Sequence, residues 1–191
     1  MTSSKQSPAG IHTAPRLFLL SLLALVGLSL GACSSMPPLA TVDRVDLDRF
    51  MGDWYVIAHI PTLIEKDAYN AVETYALNDD GTVATTFTFN EGSFDGEQKT
   101  YNPKGFPDAS TNNAVWGMRF IWPIKADYRV VYLDEAYSVT IIGRNKRDYV
   151  WLMAREPEIP ESRYQELMQL IEGMGYDLAE MRKVPQHGAA Q

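Results

Sequence analysis

The sequence is poor in the residues that catalytic and metal sites most often use. It has one cysteine, Cys33, in 191 residues, so no intramolecular disulfide can form and an oxidising compartment adds no staple. Of three histidines, one (His12) lies in the leader described below, His59 sits in a strand and His187 in a polar tail. There is no H-E-x-x-H, no G-x-S-x-G and no phosphate loop, which removes the motif-readable metalloproteases, serine hydrolases and P-loop enzymes. No metal and no cofactor are expected. Positive charge is also scarce: 17 Lys and Arg face 24 Asp and Glu, a formal net charge of −7. That balance argues against nucleic acid and against docking on anionic lipid headgroups. No uncharged apolar run reaches the ~20 residues a membrane-spanning helix needs.

The longest such run, Leu17 to Leu30, is fourteen residues and follows a polar segment that holds Lys5 and Arg16 and no acid. Small residues then precede the lone cysteine in Leu30-Gly31-Ala32-Cys33-Ser34. This resembles a bacterial lipoprotein signal with its lipobox, in which the cysteine becomes the lipidated first residue of the mature chain. An ordinary signal peptide with an incidental cysteine is the alternative. On the lipoprotein reading residues 1–33 form the signal ending in Cys33, and 34–41, with Pro37-Pro38, form a tether. Ser34 lacks the Asp that marks inner-membrane retention, so the expected location is the periplasmic face of the outer membrane. Removing residues 1–33 leaves 15 basic and 24 acidic residues, a net charge of −9, and about 150 residues, enough for one domain with a single core.

The mature chain reads as short strands. Gly52 gives backbone freedom two residues before Trp54, which opens the strand Trp54 to Ile60. The loop Pro61 to Asp67 carries apolar residues that could fold over an opening. Tyr69 to Leu77 is a second strand, Asn78-Asp79-Asp80-Gly81 a hairpin turn, and Val83 to Phe89 the cleanest period-two segment. Glu97 to Tyr101, Ala114 to Trp122, Tyr128 to Leu133, Tyr137 to Ile142 and Tyr149 to Arg155 follow, with a loop over Asn102 to Asn113. These eight candidates have the spacing of an antiparallel sandwich or barrel. The period then changes: Tyr164, Leu167, Met168 and Ile171 form one stripe of a helix between Pro160 and Gly173 or Gly175. A short strand over Leu178 to Lys183 closes the domain, and 186–191 is a polar tail.

Alternation assigns faces. With Trp54 inward, Val56 and Ala58 are inward, and Tyr55, Ile57 and His59 outward. The same rule places Val83, Thr85, Phe87 and Phe89 inside, then Trp116, Met118 and Phe120, then Tyr128, Val130 and Tyr132. Thr140 and Ile142, then Tyr149, Trp151 and Met153, complete the interior. So many aromatics with so few charges describe an apolar cavity, or else a filled core. Glu73, between Ala71 and Tyr75, falls on the inward series of the second strand. Buried, it would have a raised pKa and could meet a ligand's polar group; near an open mouth it would sit in water. Arg155 can lie across Trp54 at the narrow end as a cation–π contact.

Gly52-x-Trp54 at the first strand and Arg155 ending the last long strand before a helix resemble the lipocalin family. The segment Leu133-Asp134-Glu135-Ala136-Tyr137 meets the middle family motif in part, Leu-Asp-Glu standing where Thr-Asp-Tyr is usual. Ile60-Pro61-Thr62, Arg147 to Arg155 and Gly175-Tyr176-Asp177 extend the likeness over roughly residues 42–185. It is nearest to the branch that holds bacterial outer-membrane lipoproteins and apolipoprotein D-like animal proteins. The resemblance implies an all-β fold: an eight-stranded antiparallel up-and-down barrel with one C-terminal α-helix packed outside. It implies a carrier rather than an enzyme, binding fatty acids or lysophospholipids, held to a membrane through lipidated Cys33, with no nucleic-acid partner. The expected ligand-binding set is Val56, Glu73, Tyr75, Phe87, Phe89, Trp116, Met118, Phe120, Tyr128, Tyr132, Tyr149 and Trp151. Gly52, Trp54 and Arg155 are expected to be structural. Two other classes stay open: a barrel isomerase or dehydratase using Glu73 with Tyr75 or Tyr132, and a structural envelope lipoprotein with a collapsed core. Oligomeric state, a homodimer included, is left undecided.

Overall fold

The computed structural model describes residues 1–2 and 36–187, so Cys33, most of the leader and the last four residues lie outside the described residues. The chain divides into two compact units, Met1–Pro37 and Pro38–Gln191, and the second contains every regular element discussed below. It begins with a one-turn helix, α1 (Leu47–Phe50), capped by the Asp46 carboxylate. Strands β1 (Gly52–Ile60), β2 (Ala68–Leu77), β3 (Val83–Glu91), β4 (Gln98–Tyr101), β5 (Lys104–Pro107), β6 (Val115–Ile121), β7 (Ile124–Leu133), β8 (Val139–Gly143) and β9 (Val150–Ala154) follow. Helix α2 (Glu161–Gly173), a 3-10 turn over Leu178–Glu180 and the two-residue β10 (Arg182–Lys183) end the unit.

Each strand pairs antiparallel with its neighbour, and β1 returns to pair with β9, Tyr55 opposite Ala154 and Ile60 opposite Val150. The sheet therefore closes into an eight-strand barrel, which removes its exposed edges. β4 and β5 share the fourth position: both pair with β3, and Asn102-Pro103 interrupts them because proline has no N–H for the ladder. The loop expected over Asn102 to Asn113 thus contains β5 and a 3-10 turn, Ala109–Thr111. β7 starts four residues earlier than Tyr128, which makes β6–β7 a tight hairpin around Trp122-Pro123. Tyr137 lies in a turn at φ 58° rather than in a strand, and only Arg182–Lys183 of the expected last strand pairs, with Ala58 and His59 of β1.

Two apolar cores result. Inside the barrel pack Phe50, Trp54, Tyr75, Phe89, Trp116 and their neighbours. Outside, the helix stripe Tyr164, Leu167, Met168 and Ile171 covers Ile57, Ala58, Ile141 and Leu152. Each such side chain contributes ~1.5–3 kcal/mol by burial, so tertiary packing rather than propensity holds this helix.

The barrel has four register shifts, and two of them move expected side chains to the other face. The β1–β9 register shifts between Val56 and Ala58, so Val56 stays in the interior core but Ala58 joins the outer one. His59, expected outward, is instead fully buried and faces Glu65. The β7–β8 register shifts between Val130 and Tyr132, so Val130 points in and Tyr132 points out against α2, where Arg163 donates to its hydroxyl. A bulge adds one residue on one strand and inverts every face beyond it.

Candidate functional site

The closed end is built first. Gly52 sits at φ 92°, and a β-carbon there would come within 3.4 Å of Arg155 Nη1. The positive φ calls for glycine, while the guanidinium lies at ordinary contact distance. Arg155 lies over Trp54, 3.8 Å from guanidinium carbon to ring centroid. Its Nη2 donates to the carbonyls of Arg49, Phe50 and Met51 at 2.8–3.1 Å, and Nη1 to Asp53 O at 2.6 Å. Trp54 Nε1 donates to Phe50 O at 2.9 Å. The β7–β8 turn docks here too: Tyr137 hydroxyl accepts from Asp46 N at 2.9 Å, its carbonyl accepts from Arg155 Nε at 3.3 Å, and its ring carries Arg49 at 4.0 Å. Gly52, Trp54 and Arg155 thus plug one end of the barrel.

Rings fill the space above the plug. Phe50 lies 5.6 Å from Trp116 and 5.7 Å from Tyr75, and Trp116 stacks on Tyr128 at 5.2 Å. Toward the open end the packing stops, leaving a cavity of about 500 Å³, within the range of small-molecule sites. Its lining is mostly apolar: Phe87, Tyr101, Met118, Phe120, Ile121, Ala126, Tyr149, Trp151, and Leu63 and Ile64 from the β1–β2 loop. The barrel is therefore neither collapsed nor filled throughout.

Among the expected site residues, Glu73, Phe87, Met118, Phe120, Tyr128, Tyr149 and Trp151 line this cavity. Val56, Tyr75, Phe89 and Trp116 face the interior but belong to the packed core beneath and beside it. Tyr132 lies on the other side of the wall, for the reason given by the bulge, and is removed from the site. Phe120 is half exposed, at the rim rather than within.

The cavity's polar groups are few and specific. Tyr75 hydroxyl donates to Glu73 Oε2 and stands 2.8 Å from Tyr128 hydroxyl. Burial raises the Glu73 pKa, the charge of Glu65 adds to it and the Tyr75 hydrogen bond opposes it; the result is about 7. Burial likewise pushes both tyrosines well above their usual value, so they stay neutral donors. Glu65 is the residue periodicity missed. It sits in the loop after β1, yet it is buried, accepts from Thr62 N at 3.0 Å and from Trp151 Nε1 at 3.2 Å, and its Oε2 lies 3.6 Å from His59 Nδ1. Burial pushes its pKa up, but the nearby His59 imidazole and the Thr62 donors outweigh it and hold the carboxyl below the usual range. A carboxylate that folds back from a loop onto a strand leaves no periodic signal. Arg144 at the rim, paired with Asp148 at 3.4 Å, and Asp127 were missed likewise.

Gln186 and His187, read from sequence as the start of a polar tail, are tied into the wall. Gln186 Nε2 donates to Val56 O at 2.9 Å and Ala71 O at 3.1 Å, bridging β1 and β2 where they diverge, and His187 N donates to Asn70 Oδ1. Among the described residues no group of three or more His, Cys, Asp or Glu is placed to hold a metal ion.

A closed antiparallel barrel, plugged at one end and hollow at the other, with a helix on its flank, defines a class of β-barrels that hold one small apolar molecule. The chain belongs to the lipocalin-like domain family, which matches residues 45–186. It is 30% identical to temperature-induced lipocalin-1 of Arabidopsis thaliana over 154 residues, 76% of this chain and 81% of that one. It is 29% identical to the outer membrane lipoprotein Blc of Escherichia coli K12 over 171 residues, 83% and 90% of the two chains. Apolipoprotein D of Macaca fascicularis is 28% identical over 191 residues, 92% and 98%. Among solved structures, insecticyanin of the tobacco hornworm Manduca sexta superposes with a TM-score of 0.63 at 14% identity, over 81% of this chain and 88% of that one, a likeness of fold. Family membership and the apolar cavity together support the binding of a small hydrophobic ligand.

Proposed function

We propose that this protein is a membrane-anchored lipocalin that binds fatty acids or lysophospholipids and stores or ferries them in a bacterial cell envelope. The observation that carries the reading is the cavity of about 500 Å³, whose apolar walls suit an acyl chain and whose lining includes Glu73 and Tyr128, joined beneath it through the Tyr75 hydroxyl. Phe87, Met118, Phe120, Tyr128, Tyr149 and Trp151 would grip the chain, and Glu73 would meet a donor on the ligand.

Residues 1–33 act as a lipoprotein signal, Cys33 carries the lipids and residues 34–41 tether the barrel. The pattern Leu30-Gly31-Ala32-Cys33 supports this, as does the likeness to a protein named an outer membrane lipoprotein. One acyl chain alone anchors only marginally, whereas the several chains of a lipoprotein hold firmly. The absence of Asp at position 34 favours the outer membrane.

Lipid extracted from the protein as purified from its own membrane, and identified by mass spectrometry, tests the ligand class. Single-chain acyl lipids in stoichiometric amount are the expected result. A preparation empty of lipid that also takes up no added apolar molecule overturns it.

One observation favours a second reading. A carboxyl with a pKa near 7 beside two tyrosines is an acid–base arrangement for isomerising or dehydrating an apolar substrate. Turnover of any lipid that is abolished by Glu73→Gln would establish it; unchanged lipid after long incubation removes it.

A further inference from the structure

Six large apolar side chains stand exposed together at the open end of the barrel. On the β6–β7 hairpin, Ile121 is 72% exposed, Trp122 78%, Ile124 68% and Phe120 52%, and on the β1–β2 loop Leu63 is 93% and Ile64 42% exposed. Isolated exposed apolar residues are ordinary, but a contiguous cluster marks a contact surface. Four of the six, Leu63, Ile64, Phe120 and Ile121, also line the cavity, so apolar side chains are shared between the outside of the barrel and its interior.

Charge is distributed to match. The protein is acidic as a whole, yet behind this apolar tip stand two cations, Arg119 and Lys125, held 4.7 and 3.7 Å from the Phe106 ring. Lys125 reaches that ring across Gly117, where a β-carbon would come within 2.9 Å of its side chain. The nearest acid of the hairpin, Asp127, is occupied by Arg129 Nε at 3.0 Å. An exposed tryptophan and isoleucines with cations one layer behind are the chemistry of the bilayer interface: rings and alkyl groups at the acyl boundary, cations at the phosphates.

The chain enters the barrel at this same end. Leu39 N donates to Asn145 Oδ1 at 2.8 Å, in the β8–β9 loop that follows β8 and bears the rim residue Arg144; from there residues 42–45 run along the wall to Val130 and Asn112. Five residues lie between Cys33 and Leu39, a reach of at most ~20 Å.

We propose that the open end docks on an anionic phospholipid bilayer, with Trp122 and Ile124 immersed at the interface and Arg119 and Lys125 on headgroup phosphates. An acyl chain then passes between membrane and cavity along Phe120, Ile121, Leu63 and Ile64 without crossing water. A protein partner seated there would seal the cavity, whereas a fluid bilayer supplies what the cavity holds. The docking itself stands on the surface alone; what it delivers rests on the lipid-binding reading above.

The test uses the soluble chain from Ser34 onward, since the unit from Pro38 holds every strand of the described residues and both cores. Co-flotation with vesicles of phosphatidylethanolamine and phosphatidylglycerol is measured beside vesicles of phosphatidylcholine alone. The expected result is binding to the anionic vesicles, weakened by salt. It falls at least about tenfold in Trp122→Ser/Ile124→Ser, through the loss of two buried apolar groups, and Arg119→Gln/Lys125→Gln loses the preference for anionic lipid. Neither Trp122 nor Ile124 lines the cavity, so uptake of a fluorescent fatty acid by the first variant reports that the barrel is intact. Failure of the parent chain to float, or equal flotation of the tip variant, overturns the proposal. So does a dimer that depends on Trp122 and Ile124 without vesicle binding, which would assign the patch to a second copy. Vesicle binding without uptake of any apolar ligand would instead contradict the lipid-carrier reading and leave the docking in place.

Discussion

Arg155 covers Trp54 at 3.8 Å and ties the backbone of residues 49–51 and 53 to the end of β9. One side chain therefore joins the first turn of the domain to the last wall strand, about a hundred residues away in sequence, using a stacked cation and at least four charge-assisted donations. Arg155→Lys keeps the charge but loses the planar fork, and with it most of these bonds. The expected loss is about 2–4 kcal/mol in urea unfolding, with the cavity and its ligand uptake retained below the midpoint. Unchanged stability would mean that the plug holds without it.

Glu73 makes stability depend on pH. Its pKa is raised from 4.5 to about 7, so the folded state keeps a proton that the unfolded chain has released. The contribution is fully present below pH 4.5 and is lost as pH rises through about 7, an effect of up to ~3 kcal/mol. Unfolding of Glu73→Gln between pH 5 and 8 should show a flatter profile than the parent and greater stability at pH 8. Parallel profiles would place Glu73 in water.

Glu65 has the opposite sign. Its carboxyl is held below 4.5, so its contribution is present above that value and lost as pH falls through the folded pKa. An acid limb that survives in Glu73→Gln but shrinks in Glu65→Gln is the expected pattern. Glu65→Ala should also leave Thr62 N without its acceptor inside the β1–β2 loop and free that loop from Trp151 Nε1, at a cost of about 1–3 kcal/mol, and shift the emission of Trp151.

Much of this was legible in the sequence. Most of the strands, the outer helix and the plug follow from period, glycine placement and one tryptophan–arginine pair; β5, inside an expected loop, and the early start of β7 do not. Phe87, Met118 and Trp151 were placed correctly because β3, β6 and β9 alternate without interruption up to those positions. Tyr132 and His59 were misassigned because one extra residue in a bulge inverts a face and leaves no mark on hydropathy. Trp116 and Phe89 are inward yet packed: alternation tells which way a side chain points, not whether anything lies against it. The rim was the hardest to read, since loop side chains such as Glu65 and Arg144 reach the cavity by backbone excursions that have no period.

The same carboxyl should discriminate ligands. A fatty acid brings a carboxylate toward Glu73 and Glu65, whereas lysophosphatidylcholine brings a cation. Affinity for the fatty acid should fall as pH rises through about 7, by roughly tenfold or less, while that for the lysolipid changes little. Glu73→Gln should remove the difference. Equal pH dependence for both ligands would put the headgroup away from Glu73.

The central claim is that the hollow above the aromatic plug takes up an acyl chain. Ala126 lines that hollow opposite Met118 on the neighbouring strand, so Ala126→Trp should fill it while leaving the core beneath untouched. The direct measurement is titration of the soluble chain with a fluorescent fatty acid and a fluorescent lysophospholipid. Saturable binding near one per chain in the parent, with affinity lowered at least about tenfold in a folded Ala126→Trp variant, is the predicted result. Binding that survives Ala126→Trp unchanged, or no saturable binding in the parent, would contradict it.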